Sequence, residues 1–85
     1  MNMYSIIFSD LSLKQLKKLS KELRLRIIST IKRCRIRPYA HVKKIVESPY
    51  FRLRVGDYRV IMDICDNKLR IFVIEMGHRK NIYRQ

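Results

Sequence analysis

The sequence predicts an α+β fold in which a strand and a helical region precede a set of hairpin-connected strands. Two observations carry this. Apolar residues recur at three- and four-residue intervals from Leu11 to about Arg35, and at two-residue intervals after Pro49, where Gly56-Asp57 and Asp66-Asn67 divide the chain into three strand-length segments. With 85 residues, of which 47% are hydrophobic, residues 1–85 are expected to form a single domain around one core.

Residues 3–8, Met-Tyr-Ser-Ile-Ile-Phe, are rich in β-formers and are interrupted by Ser9-Asp10, a helix-start signal. Leu16, Leu19, Leu23, Ile27, Ile31 and Cys34 then form an apolar stripe, widened by Leu13 and Ile28, with lysines and arginines on the remaining positions. Ser12 and Ser20 are both candidate N-caps, and Glu22 follows Ser20 where the helix dipole favours an acid. One helix of 24 residues would be about 36 Å long and would overhang so small a body, so the region is read as a helical hairpin turning near Ser20. Arg37-Pro38 ends it, because the residue before proline is pushed away from helical geometry. Residues 38–49 form a connection with a short strand at 43–46.

Residues 50–55 alternate, with Phe51, Leu53 and Val55 on one face and Arg52 and Arg54 on the other. Residues 58–65 and 68–76 carry apolar side chains on both faces, so one face is expected on the helices and the other under the chain's tail, a partner or a ligand. Gly77 is expected to end the last strand. Met62 and Met76 read as core, and both Cys34 and Cys65 read as small buried apolar residues.

Twenty Lys and Arg stand against seven Asp and Glu, a net charge of +13. Charge of one sign at this density repels itself, and a polyanion relieves the repulsion with release of counterions. Nucleic acid is therefore the expected partner class. No run of 18 uncharged apolar residues is present to span a membrane, and the N-terminus lacks the basic and apolar regions of a signal peptide. A cytoplasmic protein without a membrane partner is expected. No CxxC is present, so no zinc site is expected.

Arg52, Arg54, Arg59, Arg79, Lys80 and Arg84 gather in the C-terminal half with Tyr50, Tyr58, Tyr83 and His78. Guanidinium forks bind phosphate bidentately, and tyrosines stack on unpaired bases. Paired carboxylates at metal-nuclease spacing are missing, and Asp57, Asp63 and Asp66 read as turn and ion-pair residues. RNA, however, brings its own nucleophile, the 2′-hydroxyl. A tyrosine among cations has its phenolate favoured and can act as base, while arginines stabilise the charge on the phosphorus. No metal or other cofactor is needed for that reaction.

Tyr-Phe-Arg-Leu-Arg-Val-Gly-Asp-Tyr-Arg-Val-Ile (residues 50–61), followed by Leu-Arg-Ile-Phe-Val-Ile-Glu-Met-Gly-His-Arg-Lys-Asn-Ile-Tyr (residues 69–83), resembles the RelE/ParE toxin superfamily over nearly the whole chain. The resemblance implies a twisted, mainly antiparallel sheet with two N-terminal helices, and a toxin held inactive in a heterocomplex with a cognate acidic RelB-like antitoxin. In the RelE branch it implies ribosome-dependent cleavage of messenger RNA in the A site. By position it implies catalysis by Arg59, Arg79 and Tyr83, with Tyr83 as general base, Arg79 at the leaving group and Arg59 on the transition state. Arg52, Arg54, Lys80, Arg84 and His78 would bind the substrate. RelE toxins often carry lysines where this chain has Arg52 and Arg54, and arginine exchanges protons poorly. The ParE branch implies inhibition of DNA gyrase by binding instead, and a third reading is an inactive relative that only binds nucleic acid or antitoxin.

Overall fold

The computed structural model describes residues 3–78. In chain order these form β1 (Ser5–Phe8), α1 (Asp10–Lys17), α2 (Lys21–Arg33), a 3-10 turn (Pro38–Ala40), β2 (Lys43–Lys44), β3 (Phe51–Val55), β4 (Tyr58–Cys65) and β5 (Arg70–His78). The five strands make one sheet in the order β1-β5-β4-β3-β2. Every pairing is antiparallel except β1 with β5, which is parallel. The fold class is the α+β arrangement expected, with the helical region broken at Ser20.

Ser9 caps α1, its Oγ accepting from the Ser12 N–H, and Ser20 caps α2 in the same way with Leu23. Ser12, read from the sequence as a cap, instead lies fully buried within the first turn, where its Oγ donates to the Ser9 carbonyl at 2.9 Å. The short separation of the two helices follows from the two caps: a second capped start at Ser20 needs the first helix to have ended.

One face of the sheet carries Leu53, Val55, Val60, Met62, Ile71, Val73 and Met76, which form the core with Leu16, Ile27, Ile31 and Cys34 of the helical region. Cys65 departs from the sequence reading, since it is exposed at the end of β4 while Cys34 is buried; both are free thiols. β2 is shorter than residues 43–46, because Glu47 adopts a left-handed φ of 57° and turns the chain towards β3.

β5 also runs further than expected, through Gly77 to His78. A register shift explains this. Ile61 pairs with Glu75 but Met62 pairs with Val73, leaving Ile74 as an extra residue. The bulge frees backbone groups, and α1 satisfies them. The Ser9 hydroxyl donates to the Ile74 carbonyl at 2.6 Å, and Gln15 Oε1 accepts from the Met76 N–H at 2.7 Å. Because side chains alternate along a strand, one extra residue exchanges the faces of everything after it. Ile71 and Val73 enter the core before the bulge, and Met76 enters it after the bulge. Glu75 and Gly77 are thereby turned to the opposite face. Ser9→Ala removes both the cap and the bond to Ile74, and is expected to lower stability by about 1–2 kcal/mol, read as a lower denaturant midpoint.

Candidate nucleic-acid interface

The face of the sheet turned away from the helices is where the arginines stand. Arg54 on β3 is directly opposite Arg59 on β4, and Arg59 is directly opposite Gly77 on β5. The neighbouring row is Lys43, Arg52, Ile61 and Glu75. Like charges placed directly across strands destabilise a sheet, so Arg54 opposite Arg59 is a pairing that a nearby anionic group favours. Gly77 brings no side chain to the row.

The arginines are held rather than free to wander. Arg54 Nε donates to the Gly56 carbonyl at 3.3 Å, tying the guanidinium to the β3–β4 turn. Gly56 has a φ of +60°, and Arg26 of α2 packs where a Cβ would stand, with its Nη1 at 3.4 Å. Nε and Nη1 of Arg59 are buried, so the side chain is fixed in place by its surroundings. A fixed fork loses less freedom on binding phosphate than one in solvent.

His78 is placed differently. It pairs with Tyr58, the two rings meeting edge-to-face at 5.6 Å, on the face shared with Val60 and Met62. Its strand position thus points it away from the row of Arg54 and Arg59. Arg79, Lys80, Tyr83 and Arg84 lie outside the described residues. Of the expected site, the fold brings Arg52, Arg54 and Arg59 together on one surface.

Two tyrosines are held far from a role as base. The Tyr4 and Tyr39 hydroxyls both donate to Asp66, at 2.8 and 2.9 Å to its Oδ1. The bond to Asp66 raises the Tyr4 phenol, and burial together with Asp66 pushes Tyr39 up to about 12. Asp66 is therefore a turn residue with structural partners, as the sequence suggested. Asp63 is not: it sits half-buried on the arginine-bearing face, and no described residue donates a hydrogen bond to it. Among the described residues, no three His, Cys, Asp or Glu side chains converge as a metal would need.

Sequence reading missed Lys43, which the β2–β3 register places in the row of Arg52. The signal was weak, because β2 is only two residues long and its alternation cannot be read.

The model of a sequence family described as the ParE toxin of the type II toxin-antitoxin system, parDE, matches residues 6–83. The chain belongs to this family. It is a type II toxin of the RelE/ParE superfamily. A comparison with curated protein sequences found no match. Similar solved structures include the RelB–RelE antitoxin–toxin complex of Methanococcus jannaschii, at 28% identity over 91% of this chain and 94% of that one, with a TM-score of 0.69. The intact RelBE toxin–antitoxin complex of E. coli is similar at 26% identity, over 88% and 95% of the two chains, with a TM-score of 0.71. The fold is also that of the RelBE2 toxin–antitoxin complex of Mycobacterium tuberculosis, at 20% identity over 95% and 97%, with a TM-score of 0.83. Among the described residues of this toxin, no helix is long and apolar enough to cross a membrane.

Proposed function

We propose that this toxin is a ribosome-dependent endoribonuclease that cuts messenger RNA in the A site by attack of the RNA's own 2′-hydroxyl. The observation that carries the reading is the convergence of Arg52, Arg54 and Arg59 on the face of the sheet turned away from the helices, with two of them directly opposed. In the reaction, the 2′-oxygen bonds to the adjacent phosphorus and the bond to the 5′-oxygen breaks. Tyr83 takes the 2′ proton. Arg59 stabilises the charge that grows on the non-bridging oxygens, and Arg79 stabilises the departing 5′-oxygen, which takes its proton from solvent water. Arg52 and Arg54, with Lys80 and Arg84, hold the flanking phosphates. The products are a 2′,3′-cyclic phosphate and a 5′-hydroxyl.

The +13 charge and the RelB-bound state of the M. jannaschii and E. coli relatives support a cognate acidic antitoxin as the partner in a heterocomplex. Such a partner would relieve the same repulsion between Arg54 and Arg59 that RNA does.

The family description, which is of ParE, favours a second reading in which the toxin inhibits DNA gyrase by binding and performs no chemistry. Pulsed expression followed by mapping of new messenger 5′ ends separates the two. Codon-phased cuts within translated frames are expected. DNA damage without such cuts would exclude the nuclease and favour the gyrase inhibitor.

A further inference from the structure

The face of the sheet turned away from the helices is not basic throughout. Beyond the arginine rows, β4 and β5 place Asp63 directly opposite Phe72, and β5 and β1 place Phe72 directly opposite Ile7. Phe72 is 47% exposed and Ile7 38% exposed, a large aromatic ring and its aliphatic neighbour left in contact with water. Glu75 stands on the same face in the next row, opposite Ile61. No described residue donates a hydrogen bond to either carboxylate. In a chain with seven acidic residues against twenty basic ones, two carboxylates on the face that carries the arginines require an explanation.

We propose that Phe72 and Asp63 form a nucleobase subsite, in which Phe72 stacks on an unpaired base and Asp63 accepts hydrogen bonds from its Watson–Crick edge. The subsite rests on the reading of the arginine rows as the site of RNA cleavage, and adds to it a determinant of sequence.

Charge decides what this half of the face can take. Phosphate is repelled by Asp63 and Glu75 and drawn to Arg54 and Arg59 on one side and, on the other, to Arg70, which stands exposed on the same face two residues before Phe72. Four residues along β4 separate Arg59 from Asp63, about 13 Å at roughly 3.3 Å per residue, so one strand of RNA can lie across both halves. Its backbone is held at the arginines, and the base of a neighbouring nucleotide reaches the ring. Cross-strand partners have Cβ atoms roughly 4.5–5.5 Å apart, so a base stacked on Phe72 has its edge within reach of Asp63. An ionised carboxylate only accepts hydrogen bonds. Guanine offers two adjacent donors, N1–H and the 2-amino group, which match the two carboxylate oxygens. Adenine and cytosine offer one amino group, and uracil offers a single imide N–H beside two repelling carbonyls. The subsite therefore prefers guanine and disfavours uracil. Stacking on an aromatic ring is indifferent to which base it is, so the two side chains have separable effects.

The test is the pattern of cut sites in messengers from cells expressing wild-type toxin, Asp63→Asn, Phe72→Ala or Arg59→Ala. Wild type is expected to show guanine enriched and uracil depleted at one fixed position near the cut. Asp63→Asn, which keeps the size of the side chain, is expected to bring that position to within about two-fold of background. Phe72→Ala is expected to lower cutting about ten-fold across sites. Arg59→Ala is expected to lower cutting at every site with the pattern unchanged. An Asp63→Asn pattern identical to wild type, with wild type cutting normally, overturns the subsite and leaves the nuclease reading standing. A Phe72→Ala toxin that cuts as wild type but binds the antitoxin more weakly also overturns it, assigning the ring to the protein partner. Absence of cuts from wild type removes both readings.

Discussion

Arg59→Ala is expected to lower messenger cleavage by about 10²–10³-fold, the loss typical of one preorganised donor to a developing oxyanion. The expectation comes from position. Arg59 lies on β4, between two strands, in a row with Arg54 and Gly77, and two of its guanidinium nitrogens are buried. A donor fixed before the reaction stabilises the transition state without first having to be ordered. Lysine at this position restores charge but not the fork, so Arg59→Lys is expected to recover only a small part of the rate. The variants are to be compared by single-turnover cleavage on programmed ribosomes. An alanine variant that cleaves at the wild-type rate would place the transition-state charge elsewhere. Thermal unfolding of the alanine variant separates a loss of chemistry from a loss of fold.

Tyr83→Phe and Arg79→Ala are expected to have effects as large, about 10²–10⁴-fold for loss of a general base and about 10²–10³-fold for loss of a charge stabiliser. The assignment to Tyr83 gains support from three of the other four tyrosines. Tyr4 and Tyr39 are both hydrogen-bonded to Asp66, with phenols pushed upward, which is the wrong direction for a base. Tyr58 packs edge-to-face on His78 on the helix side of the sheet. Antitoxin binding is expected to stay close to wild type in both variants. Full toxicity of both variants would remove the assigned roles.

Much of this architecture was legible in the sequence. The change of period from Leu16–Ile27 to Leu53–Val55 separates helices from strands, and Ser20 divides the helices because its hydroxyl caps α2. Alternation along residues 51–55 was enough to place Arg52 and Arg54 on one face. What escaped was long-range. The bulge at Ile74 has no local mark, because no glycine or proline announces it and its carbonyl is satisfied by Ser9, 65 residues earlier. Without the bulge, alternation carried back from His78 gives the wrong face for Ile71 and Val73. The parallel pairing of β1 with β5 likewise joins segments at opposite ends of the chain, and only that pairing sets Ile7 beside Phe72. Asp63 read as a structural ion-pair residue because its neighbours on adjacent strands were not known.

Cleavage by the proposed route depends on the RNA's own 2′-oxygen at the nucleotide before the cut. Purified toxin is to be added to ribosomes holding either an all-ribose message or one with a single 2′-O-methyl group on the A-site nucleotide that precedes the cut. Cleavage of the first is expected, with a 2′,3′-cyclic phosphate on the upstream fragment, and none of the second at that bond. Equal cleavage of the two at the same bond would contradict it.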